Sequence, residues 1–342
     1  MEDRKTILNV NNLSVDFKTN QGTVHAVRDV SFHVQEGEIL GIVGESGSGK
    51  SVSMYAVMGL LAANGYVTDG DIIFNGENIA RKDFSDVKAY EDKMCAIRGN
   101  TMSMIFQNPM SYLNPVITVG RQLREIILNH NPKLGIAEAN RRTVEHLHLV
   151  GIPSPETMIR QYPYTLSGGM RQRVAMAIAM ANRPKLIIAD EPTTALDVTT
   201  QDRVLDLMRK MCRQTRASAV VVTHDLGVAA GLCDRIAIMY GGKIVETGNA
   251  REIFYEFNHP YTEGLLNCVN HPENDDKELI PIPGSPPDML CPPSGCPFVD
   301  RCDKAMRICK KKMPPPAALS ETHSSSCWQN EKKRREEANR HE

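Results

Sequence analysis

The chain has 342 residues, 41% of them hydrophobic, which allows one large domain or two modest domains with a buried core. The formal net charge of −1 does not favour nucleic acid or anionic lipid as a partner. The first residues lack the apolar stretch of a signal peptide, and no apolar run approaches the roughly 18–20 residues of a membrane span. We therefore expect a cytoplasmic protein that acts at a membrane only if other chains hold it there.

The first part of the chain predicts strands around a glycine-rich loop. Residues 7–17 and 24–34 are expected to be strands, and residues 39–43 form a short apolar strand that runs into the loop. Residues 51–61 are compatible with a helix. Strand, glycine-rich loop and helix in this order are the setting that a phosphate-binding loop requires.

The middle of the chain is predicted to be mainly helical. Residues 71–79 fit a hairpin that turns at Asn75-Gly76. Beyond them Lys, Arg, Glu and Leu recur at helical spacing, which predicts a helical insertion at about 108–162. The later segments alternate helix and buried strand, with a helix at 171–182, a strand at 186–189, a helix at 200–215, a strand at 219–223 and a hairpin at 236–246. Beyond about residue 257 the composition shifts, and residues 270–300, which are rich in Pro, Asn, Asp and Cys, form a tail for which little helical or strand structure is predicted.

The glycine-rich loop fits the pattern G-x-x-x-x-G-K-[ST] of a phosphate loop. It consists of Gly44, Glu45, Ser46, Gly47, Ser48, Gly49, Lys50 and Ser51. Backbone N–H groups at such a helix start surround phosphates, and the helix dipole favours their negative charge. Lys50 is expected to reach the β- and γ-phosphates of ATP, and the Ser51 hydroxyl is expected to bind Mg²⁺.

A pair of acidic residues follows the apolar strand at 186–189. A strand of this kind delivers carboxylates to the carboxyl edge of a parallel sheet, where ligands bind. Asp190 is expected to hold Mg²⁺, and Glu191 to act as the general base on the attacking water. The alternative is an ordinary polar turn after a strand.

A second anion-binding helix start is predicted at Ser167-Gly168-Gly169. Ser167 is able to cap the following helix, and the two glycines leave its N–H groups accessible. One nucleotide does not need two such sites in one chain, but a dimer that encloses ATP between two chains uses both. An ordinary capped helix is the alternative.

These motifs together resemble the ATP-binding-cassette (ABC) ATPases. Gln107 matches the Q-loop glutamine, Asp197 the D-loop aspartate and His224 the switch histidine, and the resemblance spans about residues 7–257. It implies an α/β nucleotide-binding domain with a P-loop parallel-sheet core, an antiparallel β subdomain and a helical subdomain. It also implies a head-to-tail dimer, with Gln107 contacting Mg²⁺ or the attacking water and His224 contacting the γ-phosphate.

The residue that stacks on adenine is less well defined by the sequence. The resemblance implies an aromatic residue in the first strand pair, and Phe17 is the candidate. The segment from Lys18 to Thr23 is longer than in many cassettes, so Val24 is an alternative contact. A core position for Phe17 is the competing interpretation.

Cysteines concentrate near the C-terminus. Cys296, Cys302, Cys309 and Cys327 follow the spacing C-x5-C-x6-C-x17-C, which lacks the C-x2-C typical of zinc fingers and ferredoxins. Four thiolates fit either a zinc site or an iron–sulfur cluster, and reduced, unliganded thiols are the alternative. The segment has little apolar material of its own, which favours a metal that staples it.

The C-terminal segment resembles the extension of ATP-binding subunits of oligopeptide and dipeptide ABC importers. The resemblance is carried by Asn258-His259-Pro260-Tyr261-Thr262, by Gly295-Cys296-Pro297-Phe298 and by Arg301-Cys302. It implies that the four cysteines bind a [4Fe–4S] cluster, with Zn²⁺ as the alternative. Cys291 is then left over, and His323 is a possible substitute ligand.

The resemblance predicts domains at 1–257 and 258–330 with a charged tail at 331–342. The predicted function is ATP hydrolysis that drives peptide import. The implied partners are a second ATPase subunit, two transmembrane permease subunits and, indirectly, an extracytoplasmic peptide-binding protein, with no nucleic acid. The chain is expected at the cytoplasmic face of the membrane.

Three other functions compete with peptide import. An importer for nickel, glutathione or another small solute is the nearest one, because the ATPase sequence barely encodes cargo. A soluble ABC protein of translation or DNA repair is disfavoured by the single cassette and the absence of a long coiled-coil insertion. A non-hydrolysing binding module is disfavoured by the intact Lys50, Asp190, Glu191 and His224.

Overall fold

The computed structural model describes residues 5–81, 86–108, 112–194, 196–268 and 281–330. The strands are β1 (Thr6–Thr19), β2 (Gly22–Gln35), β3 (Ile39–Val43), β4 (Gly65–Phe74), β5 (Glu77–Asn78), β6 (Met102–Ile105), β7 (Leu186–Asp190), β8 (Ser218–Thr223), β9 (Arg235–Tyr240), β10 (Lys243–Asn249), β11 (Ala317–Ala318) and β12 (Ser324–Ser325).

The helices are distributed between and after these strands. They are α1 (Lys50–Met58), α2 (Val87–Ile97), α3 (Val119–His130), α4 (Ile136–Leu149), α5 (Pro155–Met158), α6 (Gly168–Met180), α7 (Val198–Thr215), α8 (Leu226–Leu232), α9 (Ala250–Tyr255), α10 (Pro260–Asn267) and α11 (Arg307–Lys311). Short 3₁₀ turns occur at Pro163–Thr165 and Val299–Arg301. Within the described residues, no helix combines the length and the apolar character needed to cross a membrane.

The chain divides into two compact units. The first unit comprises Met1–Leu8, His33–Ile39 and Phe74–Val222, and the second comprises Asn9–Phe32, Leu40–Ile73 and Thr223–Glu342. Each unit therefore gathers segments that are distant in sequence.

The first unit contains three parallel strands in the order β6, β7, β8. Met102 lies opposite Leu186, and Leu186 lies opposite Ser218. Every residue of the three strands inside this unit is buried, as expected for parallel strands covered on both faces. The strands predicted at 186–189 and 219–223 are confirmed, and both carboxyl ends lie at one edge of the sheet.

Helices of the first unit pack on one another and on this sheet. Helix α3 packs on α4, and both contact α6, which also contacts β6 and α7. Their apolar faces place Leu123, Ile127, Leu147 and Val174 in the core. Helices α3, α4 and α5 supply the helical segment expected from the spacing of Lys, Arg, Glu and Leu.

The second unit contains strands in the order β11, β12, β10, β9, β3. Strand β3 runs parallel to β9, while β9 and β10 form an antiparallel hairpin that turns at Gly241-Gly242, both with positive φ. The hairpin predicted at 236–246 is confirmed. Strands β2, β1 and β4 lie side by side in that order.

The C-terminal residues contain only short regular elements. Strand β12 pairs with β10, and α10 and α11 flank a stretch at 281–298 without helix or strand, so the expectation of little regular structure in the tail at 270–300 is confirmed for its described part. The segment also has apolar material of its own, because Phe298, Val299 and Trp328 are buried. The tail predicted at 331–342 lies outside the described residues.

Candidate functional site

The phosphate loop joins the buried strand β3 to helix α1. A Cβ atom at Gly44 would lie 2.0 Å from the Met239 carbonyl oxygen, so only glycine fits there. Gly49 has φ of 99°, a left-handed conformation that glycine adopts without strain. The loop is thus shaped by backbone contacts that a larger residue would prevent.

The lysine of the loop is folded into its own backbone. Lys50 Nζ donates hydrogen bonds to the carbonyl oxygens of Gly44 at 2.7 Å and of Glu45 at 2.8 Å, and it lies 3.4 Å from Ser48 Oγ. Its side chain is buried. This arrangement concentrates positive charge at the helix start, where the dipole of α1 also favours an anion.

Two predicted catalytic residues of the first unit meet at the edge of its sheet. Gln107 follows β6 and Glu191 follows β7, and Gln107 Nε2 donates a 2.7 Å hydrogen bond to Glu191 Oε2. Asp190, the last residue of β7, directly precedes Glu191 and is buried. Adjacent parallel strands bring their carboxyl ends together, which explains the meeting of residues 84 positions apart.

The structure adds a residue that the sequence analysis missed. Thr194 Oγ1 donates a 2.8 Å hydrogen bond to Glu191 Oε2, so one carboxylate oxygen accepts two hydrogen bonds. Glu191 itself has φ of 44°, an uncommon conformation for a residue with a side chain. The only sequence signal for Thr194 was its position three residues after the proposed base.

The Ser-Gly-Gly turn adjoins the start of a second helix. Ser167 Oγ accepts a hydrogen bond from the Met170 N–H at 3.3 Å and caps α6. A Cβ atom at Gly169 would lie 2.6 Å from Thr200 Cγ2 on α7. Asp197 caps α7 by accepting from the Thr200 N–H at 3.0 Å, and the hydrogen bonds of Thr200 lower the pKa of Asp197. Two helix N-termini therefore lie side by side.

The remaining predicted ATP contacts belong to the second unit. The Phe17 ring lies against Gly65, where a Cβ atom would come within 2.5 Å of Phe17 Cε1. Phe17 is half-buried. His224 is exposed and directly precedes Asp225, which caps α8 by accepting from the Gly227 N–H at 2.7 Å. Phe17 therefore has an accessible face, and His224 stands at the start of a helix.

The four predicted cysteine ligands line one small cavity. Cys296 and Cys309 are buried, while Cys302 and Cys327 are half-buried, and the exposed Cys291 does not line it. Burial raises the pKa of Cys296 to about 12 and that of Cys327 to about 11. The cavity therefore favours the protonated form of these two thiols unless a cation compensates for the loss of solvent.

No metal site is formed by these side chains alone. Across the described part of the chain, no group of three or more His, Cys, Asp and Glu side chains is placed to hold a metal ion. The suggested substitute ligand is engaged elsewhere, since His323 Nε2 lies 2.8 Å from Glu246 Oε1. The donor set nevertheless has the all-thiolate chemistry that iron–sulfur clusters and zinc share.

A buried carboxylate anchors the C-terminal segment and was missed by the sequence analysis. Glu246, on β10, accepts hydrogen bonds from the N–H groups of Asn258 and His259 at 2.7 and 3.0 Å and from Thr262 Oγ1 at 2.5 Å. Together with His323 these donors surround a side chain that is 0% exposed. The Glu246 side chain on β10 thus holds two later parts of the chain, one at residues 258–262 and the other at His323.

Comparison with known proteins assigns this geometry to a family. The family model "ABC transporter" matches residues 27–194, and the model "Oligopeptide/dipeptide transporter, C-terminal region" matches residues 245–309. The dipeptide transport ATP-binding protein DppD of Bacillus subtilis is 47% identical over 323 residues, covering 94% of each protein. The oligopeptide transport ATP-binding protein OppD of Salmonella typhimurium is 46% identical over 308 residues, covering 90% of this chain and 89% of that protein.

A solved structure agrees with this grouping. The ATP-binding cassette MJ0796, a dimer in a post-hydrolysis state with ADP and Pi, has a TM-score of 0.62 and 28% identity, and the match covers 71% of this chain and 99% of that one. The protein is thus an α/β ATPase of the ABC transporter family, and it belongs to the group that carries the oligopeptide/dipeptide transporter C-terminal region.

Proposed function

We propose that this chain binds and hydrolyses ATP to drive the import of oligopeptides or dipeptides through a membrane ABC transporter. The observation that carries the proposal is the combination of the cassette motifs with the peptide-transporter C-terminal region in one chain. Relatives that match almost the whole chain are named for oligopeptide and dipeptide transport. Nickel or glutathione as cargo remains the alternative and is not favoured by these relatives.

The proposed active site is shared between two chains. The phosphate loop, with Lys50 and Ser51, holds the ATP phosphates and Mg²⁺ of its own chain, and Asp190 completes the Mg²⁺ site. Ser167-Gly168-Gly169 and Asp197 face the nucleotide of the partner chain. This division gives a use to both anion-binding helix starts of one chain.

The chemical step is assigned to the side chains at the edge of the sheet. Glu191 accepts a proton from the attacking water, and Gln107, which already touches that carboxylate, contacts Mg²⁺ or the water. His224 contacts the γ-phosphate, and Phe17 stacks on adenine with its accessible face. In this scheme the position of Gln107 also depends on the conformation of the transport subunits, so that Gln107 senses them.

The proposed assembly is a heteromer at the cytoplasmic face of the membrane. It contains a second, related ATPase, two transmembrane permeases and, indirectly, an extracytoplasmic peptide-binding protein. We assign residues 1–257 to the nucleotide-binding domain and residues 258–330 to the extension. The helical part at about 108–162 receives the permease.

We further propose that Cys296, Cys302, Cys309 and Cys327 hold a [4Fe–4S] cluster, with Zn²⁺ as the alternative. Two observations support this: all four thiols line one cavity, and iron–sulfur clusters are held by sets of cysteine thiolates. A bound cation would also stabilise the ionised form of these thiols in their buried setting. The role is structural, because ATP hydrolysis requires no redox centre.

Co-purification from membranes tests the assembly. A tagged chain is expected to elute with a second ATPase and membrane subunits, and the Lys50→Ala variant is expected to lose ATP binding but keep these partners. A stable, fully active homodimer without any membrane partner would refute the proposal.

A further inference from the structure

An arginine of the C-terminal extension binds the phosphate loop directly. Arg301 Nη1 donates a 2.7 Å hydrogen bond to Glu45 Oε2 and a 3.0 Å hydrogen bond to the Tyr240 hydroxyl. The remaining donors reach the carbonyl oxygens of Ile282 at 3.0 Å and Pro283 at 2.9 Å. All three guanidinium nitrogens are therefore engaged.

This ion pair is largely withdrawn from solvent. The Arg301 side chain is 6% exposed and the Glu45 side chain 26% exposed. A charged pair with little solvent around it is screened less than a surface pair, and its loss leaves the remaining charge poorly compensated. The contact is thus stronger than an ordinary surface salt bridge.

The extension holds the same loop residue by its backbone as well. Glu45 N–H donates a 2.8 Å hydrogen bond to the Tyr261 hydroxyl. Tyr261 packs against Tyr240 with ring centroids 4.4 Å apart and against Phe298 with centroids 5.3 Å apart. Both ends of Glu45 are thereby fixed by residues of the C-terminal part of the second unit.

Glu45 also binds the lysine of the loop through its backbone carbonyl oxygen. The Glu45 carbonyl oxygen accepts one of the hydrogen bonds from Lys50 Nζ, at 2.8 Å. Movement of Glu45 would therefore shift an atom that binds the ammonium. The contacts form a continuous path from Arg301 through Glu45 to Lys50.

Building on the assignment of this loop to ATP, we propose that Arg301 is a positioning residue for the phosphate loop and that the C-terminal extension thereby sets the affinity for ATP. Arg301 lies in the turn Val299–Arg301, directly before Cys302 and between two cysteines of the small cavity. The extension is therefore part of the nucleotide site, as well as an appendage to the cassette.

Equilibrium binding of a non-hydrolysable ATP analogue with Mg²⁺ to the full chain tests the proposal. Arg301→Ala is expected to weaken binding about tenfold, the size of one charge-assisted hydrogen bond. Glu45→Gln should weaken binding similarly, and the double variant should add little because the two residues act through one contact. Arg307→Ala, an exposed arginine of the same extension, is the control and should bind normally.

A positioning role also predicts a particular kinetic pattern. Arg301→Ala should raise the KM for ATP while changing kcat much less, whereas a purely structural role would lower the unfolding temperature without this split. If Arg301→Ala does not fold, Tyr261→Phe decides, because it removes only the hydroxyl that accepts from the Glu45 N–H. Unchanged affinity for the ATP analogue in the variants that fold would overturn the positioning role of Arg301. That result would leave the assignment of the loop to ATP intact. Unchanged affinity in Lys50→Ala would instead refute the assignment of the loop to ATP.

Discussion

Gln107 and Glu191 are joined by a 2.7 Å hydrogen bond between the side-chain amide of one and the carboxylate of the other. The bond connects the ends of two neighbouring parallel strands, and Thr194 donates to the same carboxylate oxygen. Two hydrogen bonds to one oxygen hold this carboxylate in a single orientation. Displacement of Gln107 would remove one of the two hydrogen bonds that hold this orientation.

Replacing Glu191, the proposed general base, is expected to separate ATP binding from hydrolysis. Glu191→Gln keeps the size of the side chain and removes the base, so we expect phosphate release to fall by about 100-fold or more while ATP affinity is retained. Phosphate release and equilibrium ATP binding provide the two measurements. Glu156→Gln, an exposed glutamate on α5, is the matched control. Normal turnover in Glu191→Gln would remove Glu191 from its assigned role.

Gly44→Ala tests the packing of the phosphate loop. The new Cβ atom would lie 2.0 Å from the Met239 carbonyl oxygen, so loop and strand must separate, and we expect a lower unfolding temperature and loss of ATP affinity. Gly231→Ala, with open space around its Cβ position on α8, is the control and should be neutral or slightly stabilising. Wild-type affinity in Gly44→Ala would contradict the close approach.

His146 makes stability depend on pH. Burial, followed by the positive charge of Arg183, lowers its pKa below the usual 6.5 in the folded chain. The unfolded chain then binds the proton more readily, so stability is present above pH 6.5 and falls as the pH drops towards the lowered pKa. His146→Gln should reduce the loss of unfolding temperature between pH 7.5 and about pH 5.5, whereas the exposed His148→Gln should not. Equal pH profiles for all three proteins would exclude this contribution.

Metal analysis of anaerobically purified protein tests the cysteine cavity. The wild-type chain is expected to be brown with bound iron and sulfide, and a colourless protein with stoichiometric zinc would establish the alternative. Cys309→Ser should lose the metal and unfold at a lower temperature, while Cys291→Ser should behave as the wild type, because Cys291 does not line the cavity. Wild-type protein without either metal would contradict the assignment.

The parts of the site that the sequence predicts are those formed by residues close together in the chain. The phosphate loop and the cap of α6 depend on residues adjacent in sequence, and their residue types reveal them. The contact of Gln107 with Glu191 depends on which strands are neighbours, which the sequence indicated only through a family resemblance. Thr194 and Glu246 had no pattern that marked them as partners.

The C-terminal segment shows the limits of local patterns most clearly. Arg301 binds a residue 256 positions earlier, and β12 contains only two residues, too few for a periodic signal. Its small core is built from scattered residues: Phe298 packs against Tyr240 and Tyr261, and the buried Trp328 donates a hydrogen bond to the Lys312 carbonyl oxygen. Tertiary contacts, which no short window of sequence contains, determine this structure.

Peptide uptake is the most direct test of the proposed function. The measurement is ATP-dependent accumulation of a labelled oligopeptide in vesicles that contain the complete transporter, with either the wild-type chain or Glu191→Gln. We expect accumulation with the wild-type chain, competition by unlabelled di- or oligopeptides, and no accumulation with Glu191→Gln. Peptide accumulation that persists with Glu191→Gln, or an active transporter that moves nickel or glutathione but no peptide, would contradict it.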